Sequence, residues 1–177
     1  MIHHIDLSSV LRRSVCALYS NLVTRPTGVA VRSEIEQLVA DCPGRTLTVI
    51  DFTHVGLLDY SCADEVVAKL LLKCDGYFVF RGLHEAHIDA IETTLARYDL
   101  ALVVEQLDGS ARLVGTVGDA ERLAWQMVHR WGRADAPTLA ATLGTAAPEA
   151  ERLLDTLSTR RLLVRLNSIY LPIGSLQ

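Results

Sequence analysis

The sequence predicts an α/β domain, a sheet with packed helices, followed by a small helical domain, and three observations carry that expectation. Helix-period and strand-period apolar segments alternate over the first two-thirds of the 177 residues. The strand-like runs, Leu47-Thr48-Val49-Ile50 and Tyr77-Phe78-Val79-Phe80, are hydrophobic nearly throughout, as buried strands are. Past Gly118 the pattern changes to clustered helices, and the charge changes with it. Residues 1–117 carry 10 Lys/Arg against 15 Asp/Glu; residues 118–177 carry seven Arg, six acids and no Lys. That asymmetry divides the chain into domains 1–117 and 118–177.

In chain order, Leu11, Val15, Leu18 and Leu22 lie on one face of a helix expected over 8–23. The stretch TRPTG at 24–28 reads as a breaker. A second helix places Val31, Ile35, Leu38, Val39 and Cys42 on one side and ends at Pro43-Gly44. A strand over 46–52 leads to a helix with Val66, Val67, Leu70 and Leu71 inward, ended by Gly76. A strand at 77–80 and a helix over 84–98, with Ile88, Ile91, Leu95 and Tyr98 on its face, come next. Two strand-like runs, ALVVEQL and ARLVGT, are then joined by Asp108-Gly109-Ser110 as a hairpin.

The C-terminal segment opens with a helix over 119–131 whose expected inward residues are Leu123, Met127, Val128 and Trp131. Asp135 is a good N-cap for a short helix carrying Leu139 and Leu143 and closed by Gly144. Pro148 suits the first turn of a third helix, with Leu153, Leu154 and Leu157 inward. The run RRLLVRLNSIYLP alternates like a hairpin. Three helices and a hairpin in about 60 residues is the plan of a winged helix.

Several function classes are set aside on composition and motifs. No apolar run approaches the roughly 18–20 residues of a membrane span. The start, MIHHIDLSSVLRR, lacks the basic-then-apolar order of a secretory signal, so a cytoplasmic protein is expected. Cys16, Cys42, Cys62 and Cys74 are scattered, which favours reduced thiols acting as small hydrophobes over zinc ligands. His84-Glu85-Ala86-His87 spaces two histidines without a third ligand and reads as a polar helix start. Neither a GxSxG elbow beside Ser61, Cys62 and His54 nor a phosphate-binding glycine loop is present, so an enzyme, a cofactor and a metal are not expected.

The informative stretch is LLDYSCADEV at 57–66, where the strand run turns polar and enters a helix. Ser61 or Asp59 can cap that helix, and Asp64 and Glu65 complement its dipole. The order strand, LLDYSCADE, helix, strand, helix resembles a STAS domain, the fold of bacterial anti-sigma-factor antagonists. A closer likeness is to the STAS-like family with an Arg-Ser-Glu helix, a DF..V strand end and an ADE turn. Here those are Arg32-Ser33-Glu34, Asp51-Phe52-Thr53-His54-Val55 and Cys62-Ala63-Asp64-Glu65, within about residues 25–105. The resemblance implies partner binding at Asp59, Tyr60, Ser61, Cys62, Asp64 and Glu65. It also implies Ser61 as phosphoacceptor for a kinase-type anti-sigma factor or another regulator. Tyr60 stands where the antagonist pattern has its first Ser, and Cys62 where it has Gly.

The expected function is therefore non-catalytic regulation through protein–protein contact, a STAS-like domain coupled to a winged-helix module, with homo-oligomerisation left open. The alternative is a DNA-binding transcriptional regulator sensed through the STAS-like domain, with Arg152, Arg160, Arg161, Arg165, Asn167 and Tyr170 on DNA. Against it, the third helix begins with Glu149 and Glu151, which would meet phosphate repulsion.

Overall fold

The computed structural model describes residues 2–41 and 46–175. The chain divides into two compact units, Met1–Thr116 and Val117–Gln177.

The first unit runs β1 (Ile2–Asp6), α1 (Leu7–Ser14), α2 (Arg25–Ala40), β2 (Leu47–Asp51), then α3 (Tyr60–Ala63), a π turn (Asp64–Lys69) and α4 (Leu70–Lys73) in one continuous helix. After these come β3 (Tyr77–Arg81), α5 (Glu85–Arg97), β4 (Ala101–Glu105) and β5 (Ala111–Gly115). Its five strands lie in sequence order, the first four parallel and β5 antiparallel to β4. The helices pack on one another and share one core with the sheet, the single-face arrangement that right-handed crossovers between neighbouring parallel strands dictate. That face holds the core, where Ile50, Phe78, Phe80, Leu102 and Val104 meet Leu11, Val31, Ile35, Val67, Leu70, Ile91 and Leu95. Leu47, Val49, Tyr77, Val79 and Val103 fall at the alternate positions, so both faces are apolar, as the continuous runs predict.

Two elements differ from the sequence expectation, each for a local reason. The helix expected over 8–23 ends at Ser14, and residues 2–6 before it form a strand that carries His3 and His4. Asp6 caps α1 by accepting from the Ser8 N–H at 3.0 Å. Beyond the helix, Leu22 reaches full burial by bridging Leu58 in the loop after β2, which a continuing helix could not do. Leu18, expected inward, is 93% exposed. The TRPTG stretch is the start of α2 rather than a break, because Pro26 fits the first turn where no N–H partner is needed. Cys42 and the expected stop at Pro43-Gly44 lie outside the described residues.

The second unit runs α6 (Asp119–Trp131), α7 (Ala136–Leu143), α8 (Ala147–Thr159) and a hairpin of β6 (Leu163–Leu166) and β7 (Ile169–Pro172). Ala134 and Tyr170 exchange backbone hydrogen bonds of 3.0 and 2.8 Å, which adds a short third strand position beside β7. Asp135 caps α7 through the Thr138 N–H, and Gly144 ends it at φ 67°, a conformation open to glycine. In α6 the buried side chains are Ala124, Trp125 and Val128, not the expected set with Leu123 and Trp131. The Trp125 indole sets this rotation by filling the core and donating to the Leu162 carbonyl at 3.2 Å.

Candidate interaction site

The site is the junction where β2 feeds α3. Phe52 leaves the sheet buried, while Asp51 at the strand end pairs with Arg81 of β3 at 2.8 Å and accepts from the Thr53 N–H. The following loop is fixed from outside. The Gly56 N–H donates to Ser20 O, the Leu57 N–H to the Asn21 side chain, and the Asp59 N–H to Leu22 O. A Cβ on Gly56 would stand 2.4 Å from Asn21 Oδ1, so a side chain there would displace the Asn21 amide that holds the Leu57 N–H. The Gly56 carbonyl accepts from His87 Nε2 at 2.7 Å and lies 3.2 Å from His84 Nε2. The two histidines of the HEAH stretch thus converge on a backbone oxygen. Among the described residues no group of three or more His, Cys, Asp or Glu is placed to hold a metal ion.

Asp59 is the hub. Its Oδ1 accepts from the Cys62 N–H at 2.7 Å and the Ser61 hydroxyl at 2.8 Å, and its Oδ2 accepts from the Thr24 N–H at 2.9 Å. It therefore caps α3 and ties the start of α2 to the junction. Burial alone would raise its pKa, but these hydrogen bonds outweigh burial and hold the carboxyl below its ordinary range. Thr24 adopts φ 71°, a strained value for a β-branched residue, and the bond to Asp59 helps hold it there.

Cys62 is fully buried and its thiol donates to Thr24 O at 3.0 Å. Burial first, and the Asp59 charge second, push the thiol up to about 12, so it stays protonated. The helix α2 comes close enough that a Cβ on Gly28 would lie 3.0 Å from both Cys62 Cα and Glu65 Cβ.

Asp64 and Glu65 turn inward, at 3% and 1% exposure. Arg25 Nη1 contacts Asp64 at 2.7 Å and Glu65 at 2.6 Å, and Lys69 Nζ also touches both acids. Arg32 adds a bond to Glu65 at 3.1 Å and pairs with Glu36, and the Tyr98 hydroxyl donates to Asp64 at 2.8 Å. Burial raises both acids, and their hydrogen-bonded cations more than reverse it, so each carboxyl sits below its usual range. Arg32 of the Arg-Ser-Glu stretch and Glu65 of the ADE stretch, 33 positions apart, are thus direct partners. Arg25, Glu36, Lys69 and Tyr98 are members that sequence reading did not pick out. Lys69, four positions after Glu65, and Glu36, four after Arg32, left a local signal.

On the outside of the junction stand Leu57 at 64% exposure and Tyr60 at 60%, with Ser61 half-buried beside them and Thr53, His54 and Gly56 also exposed.

In the second unit the six basic or polar residues considered for DNA separate into two kinds. Arg152 is exposed on α8, and Arg161 and Asn167 take positive φ at turns. Arg160 pairs with Glu121 at 3.1 Å, and Arg165 pairs with Asp155 at 2.6 Å. Tyr170 is 1% exposed and donates to the same Asp155 carboxylate at 2.6 Å.

Compared with known proteins, the chain matches no protein-family model and no curated protein. Among the described residues no helix is long and apolar enough to cross a membrane.

Proposed function

We propose that this is a non-catalytic regulatory protein of the cytoplasm that acts by binding another protein, through a STAS-like first unit coupled to a winged-helix second unit. One observation carries the reading: Leu57 and Tyr60 stand out from the β2–α3 junction beside Ser61, on a loop held rigid by four backbone anchors. Exposed apolar and aromatic side chains on a fixed loop suit a recognition surface, because little conformational freedom is lost on binding.

Ser61 supplies the switch in this reading. Its hydroxyl donates to Asp59, so phosphorylation would remove that donor and set about −1.5 to −2 charge beside a carboxylate. The cap would be disturbed and a docked partner repelled. A repulsion of about 1.4 kcal/mol weakens binding tenfold. Ser61→Asp is expected to lose the partner in an affinity capture while circular dichroism stays unchanged, and Ser61→Ala to retain it. An identical set of captured proteins for wild type and Ser61→Asp would end the switch.

For the second unit a protein contact is favoured over DNA. Arg160 and Arg165 are paired with acids and Tyr170 is buried, which leaves Arg152 facing out among Glu149 and Glu151, with Arg161 and Asn167 at turns. Electrophoresis of duplex DNA with the purified chain across a salt series tests this: no retardation is expected at low salt, and salt-sensitive retardation would restore the DNA reading.

A further inference from the structure

The two histidines at the head of α5 form a unit that the recognition surface itself does not use. His87 is fully buried in the first turn, and its Nε2 lies 2.7 Å from the Gly56 carbonyl oxygen. A carbonyl only accepts, so Nε2 carries the hydrogen and Nδ1 is left bare. That Nδ1 is buried with no hydrogen-bond partner. The Phe52 ring lies 5.9 Å from it, centroid to centroid, and the exposed His84 ring stacks on it at 3.4 Å. The His84 Nε2 stands 3.2 Å from the same carbonyl. The charged groups on the elements around this end of α5 are engaged elsewhere. Asp51 pairs with Arg81, Asp59 accepts from Cys62, Ser61 and Thr24, and Asp64 is held by Arg25, Lys69 and Tyr98. Arg112 of β5 pairs with Glu85, Cys62 is a neutral thiol, and His54 stands exposed in the loop. Among the described residues no carboxylate pairs with either imidazole of the α5 head.

A second proton on the His87 ring has no place in this setting. With both nitrogens protonated, one N–H faces a buried site without an acceptor. The first turn of a helix already carries the positive end of its dipole, and a charged His84 stacked on the ring would oppose a second cation. We propose that His84 and His87 form an acid-sensitive latch on the β2–α3 junction: proton uptake at His87 Nδ1 drives the ring from its buried seat, breaks its bond to Gly56 O and frees the loop of residues 53–58, Leu57 with it. Burial lowers the pKa of His87 from its ordinary 6.5, so the closed loop binds the proton less readily than the open one. Closure has its full advantage above about pH 6.5 and loses it as pH falls below that value. Opening is linked to one proton, and the open-to-closed ratio is expected to rise roughly tenfold between about pH 7 and about pH 5.5. The latch takes its meaning for binding from the proposed role of Leu57 and Tyr60, yet its opening is measured without a partner.

The test is amide hydrogen exchange of the full chain across that pH range, each rate divided by the intrinsic rate at its pH. The Gly56 and Leu57 N–H groups, bonded to Ser20 O and Asn21 Oδ1, read the loop. Ile50, on the strand between β1 and β3, reads global unfolding. In wild type, protection at Gly56 and Leu57 is expected to fall roughly tenfold, ahead of any fall at Ile50. His87→Gln keeps a neutral donor for Gly56 O and takes up no proton, so its loop protection should not change with pH. His84→Gln should still lose protection in acid, because the proton goes to His87. Wild-type loop protection that stays constant, or that falls only in step with Ile50, overturns the proposal, and that result needs no variant to fold. So does a fall that His87→Gln retains or that His84→Gln abolishes. A loop that opens as expected upholds the latch even where Ser61→Asp leaves the captured proteins unchanged, which keeps the two readings separable.

Discussion

Asp64-Glu65 and Leu57-Tyr60 sit within nine residues of each other, yet the fold gives them opposite surroundings. The two acids face α2 and are enclosed by Arg25, Arg32, Lys69 and Tyr98. The leucine and tyrosine face outward, the reverse of what polarity alone would assign. The difference teaches that charge at this junction maintains internal structure, while apolar area stays at the surface, where the proposed recognition would use it. Sequence neighbours can thus divide the work of holding a site and of being one.

The comparison breaks most sharply at Glu65. Three cations surround its carboxylate, so Glu65→Gln leaves them undercompensated in a buried setting. A loss of about 3 kcal/mol is expected, near the low end for a broken buried pair because Arg25 is half exposed. Urea denaturation reads it directly, as a lower midpoint at unchanged slope. Gly28→Ala probes the same interior without touching charge. Its new Cβ would crowd Cys62 and Glu65, and about 2 kcal/mol of overpacking is expected by the same measurement. Asp59→Ala lies between inside and outside. It removes the α3 cap and the Thr24 tie, for a cost of about 1.5 kcal/mol, and Asp59→Asn should recover part of it.

Acid sharpens the comparison from another side. Burial lowers the pKa of His87, and lowers that of His129 to about 4, so each takes up its proton less readily in the fold than in the unfolded chain. The unfolded chain takes up protons near the ordinary value of 6.5 while the fold does not. Stability therefore falls as pH drops below about 6.5 and is unaffected by these groups above it. The depressed acids of the α2 cluster give up their contribution only at lower pH, as pH falls through their folded values. Thermal midpoints should decline between neutral pH and about pH 5, and His129→Phe should flatten that decline. The smallest effect is expected outside: Leu57→Ser with Tyr60→Ser should change stability by less than about 0.5 kcal/mol.

Much of this molecule was legible in the sequence, and particular residues explain where it was not. The apolar runs at 47–50 and 77–80 and the hairpin at Asp108-Gly109-Ser110 form as their patterns indicate. Asp59 is the cap of its helix. Asp64 and Glu65 looked like a surface patch because the cations that enclose them are mostly supplied by α2, more than 30 positions away. Local spacing carries no trace of such a partner. In α6, two apolar sets one position apart overlap, and a helix turns 100° per residue, so periodicity pointed to Leu123, Met127 and Trp131 where Ala124 and Trp125 are buried. The core contact of Trp125 decides it. The early end of α1 likewise follows from a tertiary bridge, Leu22 to Leu58, that outweighs helical periodicity.

The measurement that tests the division of labour most directly is a pair of urea denaturation midpoints, one for Glu65→Gln and one for Leu57→Ser with Tyr60→Ser. The account predicts a large fall for the first and a midpoint indistinguishable from wild type for the second. An unchanged Glu65→Gln together with a destabilised Leu57→Ser, Tyr60→Ser variant would contradict it.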